Sequence, residues 1–90
     1  MPDWCVYLLR CSDGTYYTGI TNDIDRRVSE HNESTRGARY TRARRPVVLV
    51  YQEVCESRSA AARREWAIRK LPRAAKQGLA TPAGTEPTER

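Results

Sequence analysis

The run Cys5-Val6-Tyr7-Leu8-Leu9-Arg10-Cys11-Ser12-Asp13-Gly14-Thr15-Tyr16-Tyr17-Thr18-Gly19-Ile20-Thr21 decides the fold. Val6-Tyr7-Leu8-Leu9 is short, apolar and followed by turn residues, which marks a strand. Thr15 to Thr21 is rich in β-branched and aromatic side chains and returns antiparallel. The loop between them fixes which side chains share a face, because a slip of one residue reverses every side chain. A two-residue loop pairs Tyr7 with Ile20 and separates Tyr7 from Tyr17. A three-residue loop, Ser12-Asp13-Gly14 with Gly14 left-handed in a bulge, pairs Cys11 with Thr15, Leu9 with Tyr17 and Tyr7 with Gly19. Tyr7, Leu9, Tyr17 and Gly19 then share one face. Val6, Leu8, Thr18 and Ile20 form the other, which reads as the core side. The apolar alternation selects the three-residue loop, and Gly19 leaves open space beside the Tyr7 phenol.

Downstream, Thr21-Asn22-Asp23 supplies an N-cap and an acid for a helix over about 23–32. Its apolar stripe is Ile24 and Val28, and Arg27 and His31 lie beside that stripe. Residues 33–46 are polar and read as a loop. Pro46 opens a strand over 47–54 whose nearly continuous apolar character predicts a central position. Ser57 caps a second helix to about Leu71, with Ala61, Ile68 and Leu71 facing inward and Glu65 at the edge of that stripe. Pro72 fits the first turn of a short final helix. From Gly78 onward the composition predicts a disordered tail. The reading is one domain over 1–79 and a tail over 80–90. The order β-β-α-β-α-α defines an α+β protein, a small antiparallel-containing sheet with helices packed on it.

Ninety residues exclude two independent cores. With 39% hydrophobic and 30% charged residues the chain suits a small soluble globule. No apolar run approaches the ~18 residues of a membrane helix. The N-terminus lacks a signal-peptide pattern. With Cys5, Cys11 and Cys55 expected reduced, a cytoplasmic location follows as an expectation. The net charge of +5 is unevenly spread. Arg36, Arg39, Arg42, Arg44 and Arg45 fall in one acid-free run, and a second basic stretch contains Arg69, Lys70 and Lys76. Such a band on one domain reads as a polyanion footprint.

The residue types leave alternatives open. Half-buried tyrosines are common packing residues, and a lone histidine is more often structural than catalytic. A semi-buried Arg27 needs an anion or a carboxylate. Glu65 either pairs with Arg69 at i+4 or serves as a single hard oxygen ligand of the kind Mg²⁺ accepts. Trp66, off the stripe, either stacks on a base or packs in a second small core.

In order, Cys5-Val6-Tyr7, Tyr17-Thr18-Gly19 and Thr21-Asn22-Asp23-x-x-x-Arg27-x-x-x-His31-Asn32 resemble the GIY-YIG nuclease superfamily. Gly37-Ala38-Arg39-Tyr40-Thr41, Arg45-Pro46, Leu49-Val50-Tyr51 and Arg64-Glu65-x-x-Ile68 extend the resemblance, which spans Trp4 to Leu79 and is close to the small stand-alone bacterial members and to their relatives at the catalytic end of structure-specific DNA endonucleases. Cys5 stands at the first motif glycine and Thr18 at the motif isoleucine. The resemblance implies a three-stranded antiparallel sheet flanked by helices. It also implies a divalent-metal phosphodiesterase using Mg²⁺ or Mn²⁺. Carried over by position, Tyr7 and Tyr17 are the motif tyrosines, Arg27 the motif arginine, His31 the histidine one turn on and Glu65 the metal carboxylate.

The expected activity is hydrolysis of DNA by an in-line water, in repair or recombination. Arg27 neutralises phosphoryl charge, Tyr7 is the general base with His31 as its substitute, and Tyr17 orients water or phosphate. The two basic stretches grip the backbone, which carries affinity rather than sequence information. Recognition is therefore expected to follow shape, with single-stranded or branched DNA preferred. Rival readings are a non-catalytic nucleic-acid-binding module, and a catalytic subunit active only with a protein partner that supplies specificity.

Overall fold

The computed structural model describes residues 3–80. The elements are β1 (Trp4–Arg10), β2 (Tyr16–Thr21), α1 (Ile24–Glu33), α2 (Arg39–Arg42), β3 (Val48–Cys55), α3 (Arg58–Arg69) and α4 (Arg73–Ala80). The three strands form one antiparallel sheet in the order β2-β1-β3. The hairpin takes the three-residue loop. Gly14 sits at φ +85°, the left-handed region where a side chain is disfavoured. The Cys11 N–H donates to the Thr15 carbonyl at 2.8 Å. Asp13 accepts from the Thr15 N–H and hydroxyl at 3.1 and 2.6 Å, which locks the turn. Tyr7 pairs with Gly19 and Leu9 with Tyr17, as the alternation requires.

Both sheet faces are covered, so the expectation of one core side is corrected. Tyr7, Leu9, Cys11 and Val47 pack with Ile24 and Val28 of α1 on one face. Val6, Leu8 and Ile68 pack with Ile20, Leu71 and Leu79 on the other. Each fully buried aliphatic side chain contributes about 1.5–3 kcal/mol. β1 is the central strand, and Cys5 through Leu9 are all buried. β3 lies at an edge, contrary to the reading of its apolar run. Its register against β1 shifts between Leu8 and Leu9, and Val48 and Val54 remain 51% and 66% exposed. Apolar continuity does not distinguish a buried strand from an edge strand whose valines face solvent.

The helices begin where the sequence caps them. Asp23 accepts from the Arg26 N–H at 3.2 Å and Ser57 from the Ala60 N–H at 3.1 Å. The stretch read as loop contains α2, a single turn that carries no detectable periodicity. α4 continues through Gly78 to Ala80, which corrects the tail's expected start. The rest of the tail lies outside the described residues. Asn32 pins the entry to β3, its amide donating to the Val47 carbonyl and accepting from the Val47 N–H at 3.0 and 2.7 Å.

Gly37 brings the α1–α2 loop against α1. A Cβ at this position would lie 2.6 Å from the Glu30 carbonyl oxygen and 2.8 Å from the His31 Cα. Gly37→Ala is expected to destabilise the domain by about 1–3 kcal/mol, the usual range for overpacking. Urea unfolding checks this, and an unchanged midpoint would show that the loop moves aside at no cost.

Candidate active site

Arg27, one turn into α1, is fixed by two bonds from Nη1, to Glu30 Oε1 at 2.9 Å and to the Arg36 carbonyl at 2.9 Å. Burial acts against its charge, but the bonds to Glu30 and Tyr7 outweigh it and hold the guanidinium ionised. The bond from Arg27 in turn holds the Glu30 carboxyl below its ordinary range. One turn later His31 is completely buried.

The Tyr7 hydroxyl lies 2.8 Å from His31 Nε2, and His31 Nδ1 lies 2.7 Å from the Thr41 hydroxyl. Thr41 donates its one proton to the Ala38 carbonyl at 2.9 Å. Nδ1 therefore carries a proton and donates to Thr41, and Nε2 accepts from Tyr7. The Ala38 N–H also points at the same Nδ1, at 3.4 Å, the longest and weakest of these contacts. Proton donation thus runs one way, from Tyr7 through His31 and Thr41 to the backbone.

Burial raises the Tyr7 phenol above its ordinary value, and the Arg27 guanidinium beside it offsets only part of that. Burial also pushes His31 down to about 4, with the Arg27 charge adding to the effect. Both groups are neutral at pH 7. The space that Gly19 leaves is filled by the Tyr7 phenol itself, since a Cβ there would lie 2.6 Å from Tyr7 Cζ. The expected open space beside the phenol is corrected accordingly.

Tyr17 is half-buried and joins the two halves of the site. Its ring centroid lies 5.1 Å from that of His31 and 6.1 Å from that of Tyr40, with the Tyr40 ring stacked at 27°. It also lines a cleft of about 320 Å³ with Tyr16, Thr18, Tyr40, Glu65, Arg69 and Lys76. β2 is an edge strand, and the cleft lies along it, where the α1 side and the α3 side of the sheet meet. Glu65 is partly buried, and among the described residues no ion pair or hydrogen bond engages it. Arg69, the expected i+4 partner, lines the same cleft but does not pair with it. The neighbouring Arg64 bonds Glu53 on β3 at 3.0 Å and ties α3 to the sheet.

The expected phosphate-gripping cations separate into groups. Arg69 and Lys76 line the cleft. Arg39 and Arg42 line a different surface depression with Ser34 and Thr35, and the Arg36 side chain is exposed. Lys70 sits 3.8 Å over the ring of Trp66, which is 64% exposed and so is not packed in a second core. Arg44 is engaged by Asp13 at 3.0 Å and by the Tyr40 carbonyl. Arg45 lines the same depression as Arg39 and Arg42 and is also engaged by the backbone. It donates to the carbonyls of His31, Glu30 and Ser34 at 2.5, 3.2 and 2.5 Å, and so caps the C-terminus of α1.

Sequence reasoning assigned no role to Thr41, Tyr40 or Glu30. Thr41 and Tyr40 stand within the quoted Gly37–Thr41 stretch. Their use became visible only once Gly37 had brought α2 against α1.

Residues 3–78 match the GIY-YIG catalytic domain, the class that this fold and motif series define. A UPF0213 protein of Desulfotalea psychrophila is 61% identical over 70 residues, 78% of this chain, although the match spans only 64% of that protein. A UPF0213 protein of Halobacterium salinarum is 55% identical over 82% of this chain and 95% of its own length. The solution structure of a UPF0213 protein from Bacillus halodurans shares 40% identity with a TM-score of 0.56, covering 93% of this chain and 88% of that one. The chain belongs to the GIY-YIG superfamily, a superfamily of nucleases, and its relatives are UPF0213 proteins.

Proposed function

We propose that the protein is a divalent-metal-dependent endonuclease that hydrolyses DNA phosphodiester bonds and recognises structure rather than sequence. One observation carries the reading: the unpaired, partly buried Glu65 carboxylate shares a cleft with Tyr17 and two cations. A carboxylate drawn partly out of water is favoured by a nearby cation. No protein cation meets it among the described residues, so the donor fits a hard metal ion that takes its other oxygens from water and phosphate. Glu65 would hold Mg²⁺ or Mn²⁺, which when bound would supply Lewis-acid polarisation at the phosphoryl oxygen.

The chain's own residues account for the remaining roles. Arg27, rigidly held through Nη1, offers charge to the phosphoryl oxygens without reorganising during reaction. Burial bears on the choice of base. Tyr7 is 1% exposed and His31 fully buried, with both imidazole nitrogens engaged. Neither is open to solvent, which departs from the expected role of Tyr7 as base with His31 as its substitute. Tyr17 faces the cleft and is placed to orient the attacking water and, as phenolate, to take its proton. Tyr7 and His31 stand behind it as positioning residues. Arg69 and Lys76 hold the strand beside Glu65.

Labelled single-stranded, nicked, flapped and branched DNA, incubated with Mg²⁺, Mn²⁺ or EDTA, tests the reading. Cleavage is expected with either metal and absent in EDTA. Glu65→Gln and Arg27→Met are each expected to slow it by about 10²–10³-fold. Salt-sensitive binding without cleavage on any substrate would instead support the non-catalytic module, or a subunit that needs a partner.

A further inference from the structure

The cleft is more aromatic than phosphate chemistry requires. Tyr16, Tyr17 and Tyr40 all contribute to it, together with Arg69 and Lys76. A second depression of about 230 Å³ shares Tyr16, Tyr40 and Lys76 with the first and adds Thr15 and Arg73. The two form one groove, with Glu65 toward one end, Arg73 toward the other, and Tyr16 and Tyr40 common to both parts.

Both shared rings are held in place. Arg44 lies 3.9 Å over the Tyr40 ring and is itself tied to Asp13. Tyr17 stacks against the same ring, which leaves Tyr40 37% exposed but fixed in direction. Tyr16 packs against the Val6, Leu8 and Ile68 core, with Arg73 at 5.8 Å from its ring. Rings already ordered lose little entropy when a ligand stacks on them. Aromatic platforms set along a basic track are how proteins hold single-stranded nucleic acid.

We infer that the groove is a subsite for one unpaired nucleotide next to the scissile phosphate. The base lodges at Tyr16 and Tyr40, and Arg69, Lys76 and Arg73 receive the flanking phosphates. A base within an uninterrupted duplex is already paired and stacked and cannot enter. The subsite therefore selects single strands, flaps and splayed junctions. It rests on the nuclease reading for the placement of the reacting phosphate at the Glu65 end.

The test is binding measured in EDTA, where no cleavage intervenes. A fluorescent thymidine oligonucleotide is compared with an abasic oligonucleotide of the same length and charge, using the full chain. The base-containing strand is expected to bind about tenfold more tightly, as one stacked base implies. Tyr40→Leu should remove most of that preference and Tyr40→Phe should keep it, the preference being the ratio of each variant's own affinities for the two strands. Equal affinity of the wild-type protein for the two strands would overturn the subsite, whatever the variants do. Parallel reactions with Mg²⁺ or Mn²⁺ separate the two readings. Cleavage indifferent to the base removes the subsite and leaves the nuclease. Base-dependent binding without cleavage removes the nuclease and leaves the subsite.

Discussion

Tyr17→Phe is expected to slow DNA cleavage by about 10²–10⁴-fold, the usual range for loss of a general base, with little change in stability. Tyr7→Phe is expected to do the reverse. Tyr7 is 1% exposed and its hydroxyl is bonded to His31 Nε2 at 2.8 Å, so removal of that hydroxyl leaves a buried acceptor unsatisfied. That loss costs about 1–3 kcal/mol of stability, while the cleavage rate should stay within tenfold. The contrast follows from position on adjacent strands. Tyr7 lies on the central strand beneath α1, and Tyr17 lies on the edge strand where the cleft opens. Single-turnover cleavage and urea unfolding of both variants give the result. A large rate loss in Tyr7→Phe with Tyr17→Phe near wild type would return the base role to Tyr7.

The hairpin was legible because its face pattern and its turn chemistry pointed to the same register. Apolar alternation chose the three-residue loop, and Gly14 supplied the one left-handed residue that the loop requires. The i,i+4 spacing of Arg27 and His31 likewise placed both beside the sheet. Strand order was not legible. β1 and β3 are both short apolar runs, and only the tertiary arrangement puts β1 between the others. α2 was missed for a related reason, since one turn has no period to detect and takes its stability from its contacts. The same gap hid Thr41, whose hydroxyl sets the His31 tautomer from the far side of that turn. Charge counts alone did not separate the roles of the arginines. A run of arginines looks uniform in sequence, yet one of them caps a helix and another braces Tyr40.

His31 also makes the fold sensitive to acid. Its folded-state pKa is pushed from 6.5 down to about 4 by burial, reinforced by the Arg27 charge; Arg45 acts in the same direction and Glu30 opposes it. The unfolded chain therefore takes up a proton over a pH range in which the folded chain does not. Stability rises with pH wherever the unfolded state binds more protons, so the His31 contribution is complete above pH 6.5 and is lost as pH falls toward about 4. The loss is roughly 2 kcal/mol by about pH 5 and roughly 3 kcal/mol at the lower end, a large part of a small domain's stability of about 5–15 kcal/mol. The ion-paired carboxylates titrate in a different window. Glu30 and Glu53 are held below their ordinary range, by the Arg27 bond and by the Tyr51 and Arg64 bonds respectively, so their contributions fade at lower pH. Urea midpoints measured from pH 7.5 to 4.5 should fall steadily below about pH 6.5 in the wild type and stay flatter in His31→Gln. A wild-type midpoint that is constant across this range would mean that the ring can be protonated in place, with the Tyr7 hydroxyl turned to accept from Nε2.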